Sequence, residues 1–263
     1  MTAQFFKEIL TEPALKDFEY LSLDEGEIDA ESLDLVMEMA QSNRVLRIKW
    51  TEIPKDYYHK NALKFRDIRY WDARWVRIEN LLTLKDSRTV ELGWNKLTCS
   101  DVNTFIKYWI DSDHDVVQSL SSRTSMAFQT EHLFDGIVVL RARFAIYLVL
   151  ANPTKQRKRP ILSITCYDDG MIYMKSYDKD DTFCLWGSLK VESWAPEYKV
   201  LQALNKKKEL EGEMEEIQKL LDTNQDKNMV EKKNEITREL QNVSQELAGY
   251  NLIFRNGVFS KVI

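Results

Sequence analysis

The chain has 263 residues, a formal net charge of −5, and 44% hydrophobic and 11% aromatic residues. This length allows one large domain, or one domain with an appendage, and the composition excludes a wholly disordered chain. The mild net charge excludes a field over the whole surface that would attract nucleic acid or anionic lipid. We therefore expect a folded protein, with nucleic acid disfavoured as a partner.

Cysteine usage and hydropathy indicate the compartment. The three cysteines are Cys99, Cys166 and Cys184. Their odd number and the lack of CxxC spacing indicate reduced thiols, and argue against a disulfide framework or a zinc site. The opening MTAQFFKEIL lacks the pattern of a signal peptide, and the apolar region 133–150 is interrupted by Asp135, Arg141 and Arg143. We expect a soluble protein of the cytoplasm, the nucleus or both, with no membrane partner.

The first half of the chain alternates strand-like and helical segments. Segments rich in β-branched and aromatic residues predict strands at 18–23, 44–50, 63–71, 88–94 and 115–120. Apolar residues that recur three and four apart predict helices at 31–40, 74–84 and 98–110. Thr98 and Asp101 have the spacing of a capping box, which places the start of the third helix at Thr98.

This alternation repeats at irregular intervals of about 20–30 residues, which is typical of a leucine-rich-repeat-like solenoid. An ordinary α/β sandwich would give a similar sequence, because the spacing is too irregular to exclude it. We predict an α/β fold in which a leucine-rich-repeat-like strand–helix solenoid is followed by a β-meander and a C-terminal helical coiled-coil tail.

The alternation of strand-like and helical segments ends at about residue 130. Residues 133–150 fit two strands or one buried helix, and their β-branched residues favour strands. Residues 152–160 form a basic, proline-bounded loop, which fits a nuclear-import signal or a phosphate contact but is more often simply exposed. Residues 161–187 predict a β-meander whose first turn contains Asp169 and Gly170.

The tail has an apolar seam at coiled-coil spacing. The seam positions are Leu210, Met214, Ile217 and Leu221, and then Ile236, Leu240, Val243 and Leu247. The polar residues 222–228 fit either a turn between two antiparallel helices or a weak point in a single rod. Such a seam permits self-association, and it equally permits packing against the rest of the chain.

Sequence motifs of enzymes are absent. The chain has no P-loop, GxGxxG, HExxH or GxSxG motif, and His59, His114 and His132 lie far apart. The DSDHD segment begins like an EF-hand loop, but it has Val116 and Ser122 where glycine and glutamate are needed. We predict no catalytic, cofactor or metal residues. A motif-free enzyme site remains an alternative, and it would need two histidines and a carboxylate in one deep pocket.

Three tryptophans stand out because each ends a strand-like segment. They are Trp50, Trp71 and Trp94. Tryptophan is a frequent hot-spot residue at protein interfaces, although equivalent positions of a solenoid also stack into core or capping ladders. These three are the first candidates for protein binding, and Arg69 and Tyr70 beside Trp71 are the second.

Residues 75–110 closely resemble a block of the type 2 F-box-associated domain of nematode F-box proteins, which has a tryptophan, an LLTL-like helix, a strand and LT..D.N.FLK.W. The matching residues are Trp75, Leu81, Leu82, Leu84, Leu97, Thr98, Asp101, Asn103, Phe105, Lys107 and Trp109. Residues 167–186 resemble the closing element of that family. The resemblance implies substrate recognition in a cullin-type ubiquitin ligase, without a catalytic role for this chain.

The resemblance also divides the chain. Residues 1–17 contain no proline-led, leucine-rich docking helix, so the F-box is not evident there. Residues 18–196 correspond to the F-box-associated domain, and residues 197–250 to the helical coiled-coil tail. We expect an unknown target protein as partner, with the ligase adaptor only if an F-box is supplied or cryptic. The alternative is a coiled-coil structural or adaptor protein with no ligase role.

Overall fold

A computed structural model of the protein describes residues 3–12, 17–124, 128–142, 146–184, 191–223 and 227–261. They form two compact units, one of Met1–Asp135 with Ala151–Asp178, the other of Gly136–Leu150 with Lys179–Ile263. Both units combine helices and strands, which confirms the predicted α/β class. The boundaries of these units do not test the three segments predicted from the sequence, which stay predictions.

The secondary structure comprises seven helices and thirteen strands within the described residues. The helices are α1 (Ala3–Thr11), α2 (Ala30–Glu38), α3 (Ile78–Leu81), α4 (Cys99–Asp111), α5 (Thr130–Leu133), α6 (Ala195–Thr223) and α7 (Lys227–Ala248). The strands are β1 (Tyr20–Glu27), β2 (Val45–Glu52), β3 (Asp67–Asp72), β4 (Ser87–Asn95), β5 (Val117–Thr124), β6 (Leu140–Arg141), β7 (Ile146–Leu150), β8 (Ile161–Cys166), β9 (Met171–Tyr177), β10 (Thr182–Cys184), β11 (Val191–Ser193), β12 (Leu252–Arg255) and β13 (Val258–Lys261).

The first unit is built on a sheet with strand order β1-β2-β3-β4-β5-β9-β8. Strands β1 to β5 lie in chain order and pair in parallel, whereas β9 and β8 continue the sheet antiparallel. All five strands predicted in the first half are present. Because the strands alternate with helices, one sheet face is covered by apolar packing against α2 and α4, whose buried residues include Val36 and Phe105.

Two predicted boundaries in this unit are wrong. Residues 63–66 precede β3 as a turn, where Leu63 and Phe65 are buried. The helix predicted at 74–84 is only the four residues of α3, because the chain first folds into a turn in which Trp75 Nε1 donates to the carbonyl oxygen of Asp72. Apolar spacing alone cannot separate such a turn from the start of a helix.

Helix α4 begins as predicted. Thr98 is the N-cap, and its Oγ1 accepts a hydrogen bond of 3.2 Å from the backbone N–H of Asp101. Asp101 Oδ2 accepts in return from the backbone N–H of Thr98 at 2.8 Å, which completes the capping box. Phe105 and Trp109 on the inner face of the helix are almost fully buried.

Replacing Thr98 with alanine should lower the free energy of unfolding by about 1 kcal/mol, because the backbone N–H of Asp101 at the helix start loses its hydrogen-bond acceptor. The matched control is Thr104→Ala on the exposed side of the same helix, where Oγ1 only bonds the carbonyl oxygen of Ser100. That change should be neutral or slightly stabilising, since alanine is the better helix former. Equal denaturation midpoints for the two variants would contradict the capping role.

The hairpin of β8 and β9 confirms the predicted turn at Asp169 and Gly170, where glycine has a φ of 78°. The predicted meander does not continue beyond it, because β10 pairs with β11 in a separate two-stranded sheet. Residues 185–187 of that prediction lie outside the described residues. The segment 133–150 contains the strands β6 and β7, as its β-branched residues favoured.

In the second unit, α6 and α7 pack side by side, which agrees with the two-helix alternative for the tail. Leu210, Ile217 and Ile236 are buried in their shared seam. The contacts run antiparallel, since Lys206 pairs with Glu239 and Lys233 donates to Gln218. Residues 224–226 between the helices lie outside the described part of the chain, and coiled-coil geometry stays a prediction.

The sequence analysis missed a C-terminal hairpin. Strands β12 and β13 pair antiparallel around Asn256 and Gly257, both with positive φ, at 51° and 76°. An Asn-Gly pair between two apolar segments is a strong local signal for this turn. Strand β13 also pairs in parallel with β6, so the end of the chain completes the sheet of the second unit.

Candidate protein-binding face

The side of the first unit's sheet that points away from α2 and α4 is called the open face. Strand alternation places every second residue there. The strand register aligns one row of side chains across five strands, Arg47, Arg69, Glu91, Ser121 and Tyr173. The residues between them, such as Ile68 and Leu92, are buried on the opposite side.

The three tryptophans lie at the carboxyl ends of neighbouring strands and are exposed. Trp50 is 61% exposed, Trp71 43% and Trp94 50%. The rings of Trp50 and Trp71 pack against each other with centroids 4.1 Å apart, and the guanidinium of Arg123 lies 5.5 Å from the ring of Trp94. Two of the three therefore stack, but on the surface and not in a buried ladder.

Irregular backbone helps to hold the tryptophans in these positions. Trp50 has a φ of 52°, in the left-handed region, and the register of β4 against β5 shifts between Leu92 and Trp94. The backbone of Gly93 lies so close to β3 that a Cβ there would meet the carbonyl oxygen of Trp71 at 2.0 Å. The three tryptophans Trp50, Trp71 and Trp94 form an aromatic edge of the sheet, and this edge depends on the close approach of β3 and β4.

The two second-choice candidates, Arg69 and Tyr70, point to opposite sides of the sheet. Arg69 is partly exposed, and its Nη2 donates to Glu91 Oε1 at 2.6 Å on the next strand. Tyr70 points the other way and is fully buried, with its hydroxyl donating to the carbonyl oxygen of Ala62 at 2.5 Å. Burial raises the pKa of Tyr70. Its side chain therefore supports β3 from below the surface, while Arg69 can contact a partner.

Two cavities lie along the open face. One of about 310 Å³ is lined by Trp71, Trp94, Arg123 and Met171 among others. A neighbouring cavity of about 380 Å³ has a mostly charged and polar lining that includes Tyr20, Arg47, Asp67, Arg69, Arg88, Thr89 and Glu91. The face thus offers an aromatic recess beside a charged one.

Ion pairs organise the charged recess. Asp67 accepts from Arg88 at 2.8 Å and from Arg66 at 3.1 Å. Partial burial alone would raise the pKa of Asp67, but these hydrogen bonds outweigh it and hold the pKa below its usual value. Arg47 differs, because its guanidinium lies 5.2 Å from the ring of Tyr20 and has no carboxylate partner among the described contacts.

Sequence reasoning missed several residues of this face, among them Tyr20, Arg47, Arg123 and Tyr173. Arg47 had a usable signal, since it lies one position before the buried Ile48 on a strand already predicted. Tyr173 had none, because it joins the row only through antiparallel pairing of β9 with β5. Such non-local register cannot be read from spacing.

The histidines are held by different partners. His59 Nε2 lies 3.0 Å from Glu38 Oε1, and His114 Nδ1 lies 2.8 Å from Asp113 Oδ1. His132 lines a cavity of about 550 Å³ near the start of α4, together with Cys99. Burial raises the pKa of the Cys166 thiol to about 12, so this group is a poor nucleophile.

The described residues contain neither a metal-binding cluster nor a membrane-spanning helix. No cluster of three or more histidine, cysteine or acidic side chains there could hold a metal ion. None of the helices in the same residues combines the length and the apolar character needed to cross a membrane.

Comparison with known proteins identifies the central segment. Residues 57–121 match the family model described as F-box associated. This confirms the resemblance over a segment that runs from the loop before β3 into β5. The F-box-associated match includes Arg69, Trp71, Glu91 and Trp94 of the open face, whereas Trp50 lies before it. The match indicates a protein-interaction domain of the kind associated with F-box proteins.

A second similarity, of about the same length, links the chain to a nematode ligase. The chain is 39% identical over 67 residues to the E3 ubiquitin-protein ligase hecw-1 of Caenorhabditis elegans. The aligned part is 26% of this chain and only 5% of that protein. No solved structure matches the chain.

Proposed function

We propose that the chain is a protein-recognition module that holds a target protein on its open face, in the manner of the substrate-binding part of an F-box protein in a cullin-type ubiquitin ligase. The observation that carries this proposal is the exposed pair of stacked tryptophans, Trp50 and Trp71. Large aromatic side chains that remain in water are costly to leave unpartnered and are frequent anchors at interfaces.

The proposed architecture is a short leucine-rich-repeat-like solenoid with a coiled-coil tail. Parallel pairing of β1 to β5 in chain order supports the solenoid, because each strand then adds one residue to every row of the open face. The apolar seam of α6 and α7 supports the coiled coil. Docking on the ligase adaptor would require an F-box, which residues 1–17 do not resemble. We place the protein in the cytoplasm, the nucleus or both.

The double substitution Trp50→Ala and Trp71→Ala should reduce recovery of the target about ten-fold or more, because loss of a hot-spot tryptophan costs about 2 kcal/mol or more. The measurement is quantitative affinity purification of the full chain from nematode extract, comparing wild type and variant. The control is Tyr58→Ala, which removes a similarly exposed aromatic side chain from the segment between β2 and β3. A partner set unchanged by the tryptophan variant would contradict the proposal.

The rival function, a coiled-coil adaptor, has its own test. Leu220 and Val230 are exposed near the facing ends of α6 and α7, outside the buried seam. If Leu220→Ser and Val230→Ser reduce the recovery of partner proteins and the tryptophan substitutions do not, the tail binds the partners and the open face does not. The same purification distinguishes the two functions.

A further inference from the structure

We infer that the partner presents an acidic, extended segment to the open face, with a carboxylate bound by Arg47 and an apolar side chain packed on Trp50 and Trp71. This inference rests on the proposed function and adds the chemistry of the partner. The whole chain is acidic, with 37 basic and 42 acidic residues.

The charged recess reverses the balance of charge. Its lining contains three arginines, Arg47, Arg69 and Arg88, and two carboxylates, Asp67 and Glu91. Basic side chains thus exceed acidic ones in this recess of an acidic protein, which favours a negatively charged partner.

Arg47 is the cation best placed to bind that partner. Arg69 is bonded to Glu91 and Arg88 to Asp67, so an incoming anion would have to displace a carboxylate from either. Arg47 has only the ring of Tyr20 against it among the described contacts, and it lines the charged cavity. A guanidinium in this state can bind a carboxylate through two parallel hydrogen bonds without breaking an existing pair.

The arrangement also fixes where the acidic residue belongs. Trp50 follows Arg47 by three residues on β2, about 10 Å along the strand, a span that three residues of an extended peptide cover. Beyond Trp50 the paired residues Glu27 and Glu52 end β1 and β2. They would repel an anion, so the carboxylate of the partner belongs at Arg47 and its apolar side chain at the tryptophans.

A protein partner fits this surface better than nucleic acid. Single-stranded nucleic acid places a phosphate at every nucleotide and needs a continuous cationic groove. Here Glu91 and Asp67 lie between the cations, at positions paired in register with Arg69 and Thr89. A peptide can place its one or two carboxylates selectively, which a sugar-phosphate backbone cannot.

The test is fluorescence anisotropy with the full chain and a labelled twelve-residue peptide made of two Glu-Ser-Ser-Phe-Ser-Ser repeats, in which Glu and Phe are three residues apart. We expect it to bind about ten-fold more tightly than the matched peptide with Gln in place of Glu, which is the range of a charge-assisted hydrogen-bonded pair. Arg47→Gln should abolish that difference. The control Arg238→Gln, which removes an equal charge from the exposed side of α7, should preserve it.

Other outcomes overturn the inference. Equal affinity for the two peptides, or no binding of either, would mean that the face does not select carboxylates, while the tryptophan experiment would still decide the proposed function. Tighter binding of a twelve-nucleotide oligouridine than of the acidic peptide would assign the face to nucleic acid. Loss of the difference in both arginine variants would assign it to overall charge and not to Arg47.

Discussion

Gly93→Ala should lower the free energy of unfolding of the first unit by about 3 kcal/mol or more, in the range seen when a packed structure has no room for added atoms. A Cβ at this position would lie 2.0 Å from the carbonyl oxygen and 2.8 Å from the carbonyl carbon of Trp71. Both atoms belong to the backbone of β3, so no side-chain rotation relieves the clash. The two strands must separate or shift.

The chain contains a matched control for this change. Gly212 lies inside α6, and a Cβ there meets nothing within 4 Å. Gly212→Ala should therefore stabilise by up to about 1 kcal/mol, since glycine is a poor helix former. Denaturant unfolding followed by tryptophan fluorescence measures both variants. A Gly93→Ala protein as stable as wild type would mean that β3 and β4 do not approach as closely as described.

The same substitution connects stability with the proposed function. Trp71 and Trp94 lie on either side of the β3–β4 approach, and both line the aromatic recess. A shift of the strands would move these rings relative to each other even if the unit remained folded. Gly93 thus supports the aromatic edge without contacting a partner.

Local features of the fold were predictable because the signals are local. The capping box of Thr98 and Asp101 needs only four consecutive residues, and the hairpin at Gly170 needs only its turn. The open face was only half predictable. The tryptophans were noticed because of their residue type, whereas Arg47 and Tyr173 join them through a register that spans β2 to β9.

The buried Tyr70 illustrates the same limit. Its neighbours Arg69 and Trp71 point to the open face, and strand alternation sends Tyr70 to the opposite side. The alternation was visible in the sequence, but which side is covered by helices was not. The packing of α2 decides it, since the Tyr70 hydroxyl also approaches the Met37 sulfur at 3.9 Å.

The basic loop 152–160 was expected to be exposed, and one of its residues is not. The side chain of Arg157 is fully buried, with its guanidinium 4.0 Å from the ring of Trp109, and it donates to the carbonyl oxygen of Trp109. Burial lowers the pKa of Arg157, because the charged form loses water. Asp115 from the DSDHD segment lies 3.5 Å from Arg157 Nε and compensates the charge.

The segment that resembled the start of a calcium loop therefore holds the basic loop in place. Asp115 also pairs with Arg159 at 3.4 Å, and its Oδ1 accepts from the Arg159 backbone N–H at 3.2 Å. Asp115 and Arg159 are 44 residues apart in the sequence. Spacing along the chain therefore does not indicate this contact. The opposite charges of the acidic segment and the basic loop were the only sequence feature that favoured this contact.

Asp115→Ala should cost about 3–5 kcal/mol in the free energy of unfolding, because it leaves the buried guanidinium of Arg157 uncompensated. Arg157→Met should cost less, since Asp115 keeps its pair with Arg159 and methionine fills the space beside Trp109. The double variant should be more stable than Asp115→Ala alone, because no buried charge remains. Urea unfolding of the three variants measures this order. If Asp115→Ala proved the mildest of the three, Arg157 would not depend on Asp115, and the loop would be held by packing on Trp109 alone.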